Sequence, residues 1–300
     1  MLRRYRFGVP ALLIVSVYVL AVAVAAVITL TVGDLGALWR LTLFTEVDED
    51  TSATWPNVLV LVLAGTVPVW TLWQSLRGPL AGPAPELDRD TRRLRVALYA
   101  AVASWLLYFL LPSWHWWTAL DAVAMWVVVI AFQPVLSRDL THAGRMRIVA
   151  VPAYEGTAGP EPGVLRNLKH THRMRAAGVV AYGGTAVLEV LDVLDRPVPD
   201  GLSSICGLAA LIWTVMVLWA QWRDGRWQRA TVWYGVASLL VPVAFMPVGL
   251  ALVSEGNVYG DAMTATQTLM MIWLARSAHD LADPRHRPAS PSLLPAQSQG

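Results

Sequence analysis

Between Gly8 and Val32 the chain carries twenty-five consecutive residues without a charged side chain. At about 1.5 Å per residue, a helix of about 20 residues crosses the roughly 30 Å of hydrocarbon in a bilayer, so this run is long enough to span one. Arg3, Arg4 and Arg6 precede it in the manner of a secretory signal. Its apolar length exceeds the about 7 to 15 residues of a cleavable signal, and a retained anchor is expected instead.

The same pattern recurs along the chain. Further apolar spans lie at about 56 to 76, 94 to 111, 114 to 136, 176 to 194, 202 to 220, 231 to 253 and 259 to 276, separated by short polar stretches. Composition agrees, because 56% of the 300 residues are hydrophobic, only 15% are charged, and mean hydropathy is +0.49. Globular chains carry about 25% charged residues, so a soluble fold is excluded. The expected fold class is all-α: a polytopic membrane bundle of eight transmembrane helices over residues 1–281, followed by a disordered tail, 282–300, rich in Pro and Ser.

Orientation follows from where the cations sit. Of 23 basic residues, 22 are Arg and Lys169 is the single Lys. The N-terminus, the loops at 77–95, 137–175 and 221–229, and the tail from Arg276 hold 21 of them, while the alternate loops hold Arg40 and Arg196. The first alternate loop is acidic, with Asp34, Glu46, Asp48, Glu49 and Asp50. By the positive-inside rule both termini are cytoplasmic in a multi-pass protein of the cell membrane. Arg over Lys, with heavy Ala and Val usage, suggests a bacterial source. The loop at 137–175, Pro- and Gly-rich and then strongly basic, is expected to be partly disordered and to hold anionic lipid headgroups.

Tryptophan gives a second reading of the interfaces. Trp39, Trp55, Trp114, Trp116 and Trp117 fall at expected outer ends, and Trp70, Trp73, Trp219, Trp222, Trp227, Trp233 and Trp273 toward inner ends, as in two aromatic belts. Trp105, Trp126 and Trp213 lie deeper and are candidates for packing or for lining a cavity. Faint internal similarity suggests a parallel four-plus-four repeat: residues 69–77 resemble 215–223, Asp121-Ala122 parallels Asp261-Ala262, and Tyr99 with Pro112 parallels Tyr234 with Pro247. The lone Cys206, inside an apolar run, reads as a small buried hydrophobe.

Function must come from the residues that lipid tolerates least. An ionisable side chain near a helix centre costs about 2.5 to 3.5 kcal/mol on insertion scales, so each requires a partner or a use. Asp121, Glu189, Asp192 and Asp261 are such residues, all in the outer half of the expected bundle. Ala177, Ala181, Thr185 and Glu189 recur every four residues, a small-residue ridge that turns Glu189 toward other helices. Asp192 and Asp195 continue the carboxylates outward, and Asp261, Thr264, Gln267, Thr268 and Met271 make a polar stripe in the last span. Glu189, Asp192, Asp121, Asp261 and Gln267 are therefore the candidate ligand- or ion-binding residues, forming an outward acidic vestibule for a small cationic or proton-coupled ligand.

The plainer reading keeps Asp261 as a helix cap after Gly260, Asp121 within headgroup reach, and Asp192 and Asp195 as loop charges. Two carboxylates one turn apart can share Mg²⁺, but no second acidic motif accompanies Glu189-x-x-Asp192. No cofactor, metal or nucleic-acid partner is implied, and no zinc-protease, P-loop, dinucleotide or nucleophile-elbow signature occurs. His115 reads as an interfacial residue, and His170 with His172 as a weak metal pair. Two alternatives stand beside the vestibule: an intramembrane enzyme on an isoprenoid or other lipid with Glu189 as general acid, and a non-catalytic sensory or assembly subunit.

Overall fold

The computed structural model describes residues 4–44, 53–82, 86–111, 114, 116–149, 173–198, 201–252 and 268–283, with the backbone alone at 108–110, 137–149 and 245–252. These residues form nine helices and no sheet: α1 (Gly8–Val32), α2 (Gly36–Leu43), α3 (Trp55–Leu76), α4 (Arg89–Leu110), α5 (Trp117–Val149), α6 (Arg173–Val193), α7 (Leu202–Arg223), α8 (Arg229–Leu252) and α9 (Thr268–Asp280). Helices α1, α3, α6, α7 and the first 20 residues of α5 are each long and apolar enough to cross a membrane. The chain is an integral membrane protein.

The surface of α1 shows why. Leu13, Val17, Leu20, Val24 and Val27 are exposed along it, an arrangement that water would punish and lipid welcomes. The helix stops at Gly33, whose backbone is left-handed and whose N–H donates to the Thr29 carbonyl at 2.9 Å. The Asp34 carboxylate then accepts the Gly36 N–H at 2.8 Å, which starts α2 within three residues. Helix α2 was expected as outer loop, with Trp39 in an aromatic belt. Instead it folds back between α1 and α3 and buries Leu38, Trp39 and Leu43 completely or nearly so. Gly65 of α3 admits it: a Cβ there would stand 2.9 Å from Thr42.

The main core lies among α4, α5, α7, α8 and α9. Phe132 stacks on Trp273 with ring centroids 6.4 Å apart and meets Trp213 edge-on at 5.9 Å. Trp227 and Trp273 are thus core residues and not belt residues, and of the deeper tryptophans Trp105 and Trp213 are buried while Trp126 is 38% exposed. Gly235 marks the tightest helix contact, since a Cβ there would lie 2.2 Å from Leu218 and 2.9 Å from the Trp273 ring.

Two other departures have local causes. Helix α5 continues 13 residues past Leu136, through a segment expected as loop, because a helix beyond the hydrocarbon has no need of apolar composition. In α6 a π-turn at Val179–Gly183 inserts a residue into the helical register. Burial therefore passes from Ala181 to Ala186 and Leu188, five and seven residues on, and the four-residue ridge is broken. Glu189 ends half-buried.

Candidate functional site

The acidic residues predicted from sequence divide into three groups. Asp121 and Glu189 are half-buried on the adjoining helices α5 and α6, and the Glu189 charge acts on Asp121. Asp192 and Asp195 are exposed at the end of α6, where Asp195 takes a left-handed backbone and Arg196 N–H closes the turn on the Leu191 carbonyl. Asp261 and Gln267 lie outside the described residues, as does His115. Among the described residues no three His, Cys, Asp or Glu side chains are grouped to hold a metal ion.

Two residues missed in the sequence complete the Asp121 surroundings. Ser104, fully buried on α4, donates to the Asp121 carboxylate at 2.7 Å. Tyr182, in the π-turn, packs edge-on against Trp213 at 5.3 Å, bonds Thr214 through its hydroxyl and lies within electrostatic reach of Asp121. A serine nearly two turns from an apolar helix end gives no signal until the facing helix is known.

At the other end of α4 the Arg-bearing segments meet. Residues 4–7 pair with 77–81, Arg6 N–H donating to the Pro79 carbonyl at 3.0 Å and Ala81 N–H to that of Arg4 at 2.9 Å. Gly78, left-handed, lets Phe7 close in: a Cβ there would stand 2.7 Å from the Phe7 ring. Arg77 donates to the Tyr5 hydroxyl at 3.0 Å and lies 4.5 Å over its ring.

Helix α9 enters this end between α3, α4 and α8, and every residue from Met271 to Asp283 is buried. Arg276 donates to Gln74 of α3 at 3.1 Å, to Thr231 of α8 at 3.2 Å and to Gln228 at 3.3 Å. The Thr231 hydroxyl passes its own hydrogen to Asp280 at 2.6 Å, and the same carboxylate accepts the Gln228 N–H at 2.9 Å. Trp273 donates to Gln221 at 2.8 Å, and Gln221 donates to Ser277 at 3.2 Å. One glutamine from α3 and one from α7 thus clasp α9, and a buried cation is satisfied through neutral relays and one carboxylate.

Beside this network is a cleft of about 270 Å³ lined by Arg6, Phe7, Ser75, Arg95, Tyr99 and His279, among others. Burial, and after it the charges of Arg77, Arg276 and Arg95, push His279 down to about 3, so its imidazole is neutral near pH 7. Burial and then Arg276 likewise lower Arg77 from the usual arginine range. No family model, curated protein or solved structure matches the chain.

Proposed function

We propose that this membrane protein binds or translocates a small cationic or proton-coupled ligand, with Asp121 and Glu189 as the acid pair. The observation that supports the reading is the Ser104 hydroxyl on Asp121 with the Glu189 charge acting from the next helix. Two carboxylates in one electrostatic neighbourhood, away from bulk water, bind a single positive charge better than either alone. Ser104 orients the Asp121 oxygen, and Glu189 supplies the second negative charge. Asp192 and Asp195, exposed at the rim, attract cations toward the pair. Asp261 and Gln267 of the last span add a third contribution from sequence, and the outward direction of the vestibule rests on the distribution of arginines. On the same ground the eight-span topology, with both termini cytoplasmic, belongs to this proposal.

The test is flux in proteoliposomes carrying a pH-sensitive dye, under an imposed potential. The wild-type chain is expected to pass protons or a monovalent cation, and Asp121→Asn or Glu189→Gln to reduce that flux at least about tenfold while insertion is unchanged. Equal flux in the variants and the wild type would remove the acid pair from the mechanism.

A further inference from the structure

The cleft at the Arg-rich end shows a different chemistry. Its walls come from four separate parts of the chain: the N-terminal segment with Arg6 and Phe7, the end of α3 with Ser75, the start of α4 with Arg95 and Tyr99, and the end of α9 with His279. Among the described residues that line it there is no carboxylate. Three of the lining residues each carry a polar atom, Ser75 Oγ, Arg95 Nε and His279 Nε2, that is buried and has no hydrogen-bond partner among the described residues. Ser75 is 8% exposed and His279 7%, so neither meets bulk water freely. A native fold leaves few such groups unsatisfied, and three around one opening call for a shared partner.

That partner must accept hydrogen bonds, because an arginine Nε–H and a serine hydroxyl offer donors and the neutral imidazole donates from Nε2 in one tautomer. It must also be negative. Arg6 and Arg95 line the cleft, and Arg77 and Arg276 act electrostatically on His279 from behind it. Asp280 of this network already accepts from Thr231 and from the Gln228 backbone. A compact oxyanion with several acceptor oxygens is the chemistry that suits such a group of donors and cations.

We infer that this cleft is a binding site for a phosphate group, held by Arg6, Arg95, Ser75 and His279 at the Arg-rich end of the bundle. The cleft opens beside the exposed Phe7 and the lipid-facing start of α1, so the phosphate belongs to a lipid headgroup or to a small soluble phosphate, and both present the same oxygens.

The experiment uses the full chain purified in a neutral detergent. Thermal unfolding and ¹⁵N-histidine spectra are followed while inorganic phosphate is added in one arm and phosphatidic acid, against phosphatidylcholine, in the other. Saturable stabilisation with a shift of the His279 Nε2 resonance is expected in at least one arm; the inorganic arm responding points to a soluble ligand, the phosphatidic acid arm alone to a lipid. Arg6→Gln, at an exposed position where folding is not at risk, and Arg95→Gln should each weaken the apparent affinity about tenfold. No response in either arm, or unchanged affinity in both variants, overturns the assignment.

Discussion

The two ends of α4 solve the same problem in opposite ways. Near Ser104 a carboxylate sits among apolar helices with one serine bonded to it, and the charge of a second carboxylate acts on it. Near Arg95 cations gather, with Asp280 as a carboxylate of the network, and α9 is buried from Met271 onward and surrounds Arg276 with Gln74, Thr231 and Gln228. The first arrangement is the one on which the proposed cation binding rests. The second is closed around its own cation and leaves its unsatisfied donors facing a separate cleft. Charge in a membrane bundle is thus used in one place and enclosed in another, and depth in the sequence does not tell the two apart.

The comparison breaks most sharply if the Arg276 network proves dispensable. Arg276→Met takes the donor away from the buried oxygens of Gln74 and Thr231 and from Gln228, and should cost roughly 3 kcal/mol or more, read as loss of folded yield and of melting temperature in detergent. Next in size, Gly235→Ala places a Cβ against Leu218 and Trp273 and should destabilise by about 1 to 3 kcal/mol in the same assay, with no effect on affinity for phosphate.

His279 supplies a pH signature for the Arg-rich end. Its folded pKa is pushed down to about 3, below the about 6.5 of an unfolded chain, so the unfolded state takes up the proton first. Stability should be full above about pH 6.5 and fall as the pH drops toward 3, and His279→Gln should flatten that slope in melting curves taken from pH 7 to pH 5. The smallest effect is at the rim: Asp192→Asn, fully in the open, should change stability by less than about 0.5 kcal/mol.

Much of the scaffold was legible because lipid-facing helices declare themselves by length and apolarity. The expected span 8 to 32 coincides with α1, 56 to 76 differs from α3 by one residue at its start, and 202 to 220 matches the beginning of α7. What hydropathy could not convey was packing. Helix α2 and Trp39 looked like loop and belt because eight residues after an acidic turn have no span-length signal. The π-turn has no composition signature beyond its glycines, yet it moves Glu189 off the ridge on which four-residue spacing had put it. The buried end of α9 was hidden for another reason: Arg276, Ser277, His279 and Asp280 read as the polar margin of a span, and only the facing glutamines reveal an interior. Glu189 and Asp121 were found from their cost in lipid, whereas Ser104 and Tyr182 required the neighbouring helices.

With the orientation proposed from the arginines, the acidic rim and the arginine cleft face opposite sides of the bilayer. Cys206, buried and the only cysteine, is first replaced by serine, and single cysteines are then placed at Arg6 and at Asp192 for labelling with a membrane-impermeant maleimide. In intact cells the cysteine at 192 should react and that at 6 should react only after permeabilisation. Labelling of both positions from the same side would contradict the arrangement described.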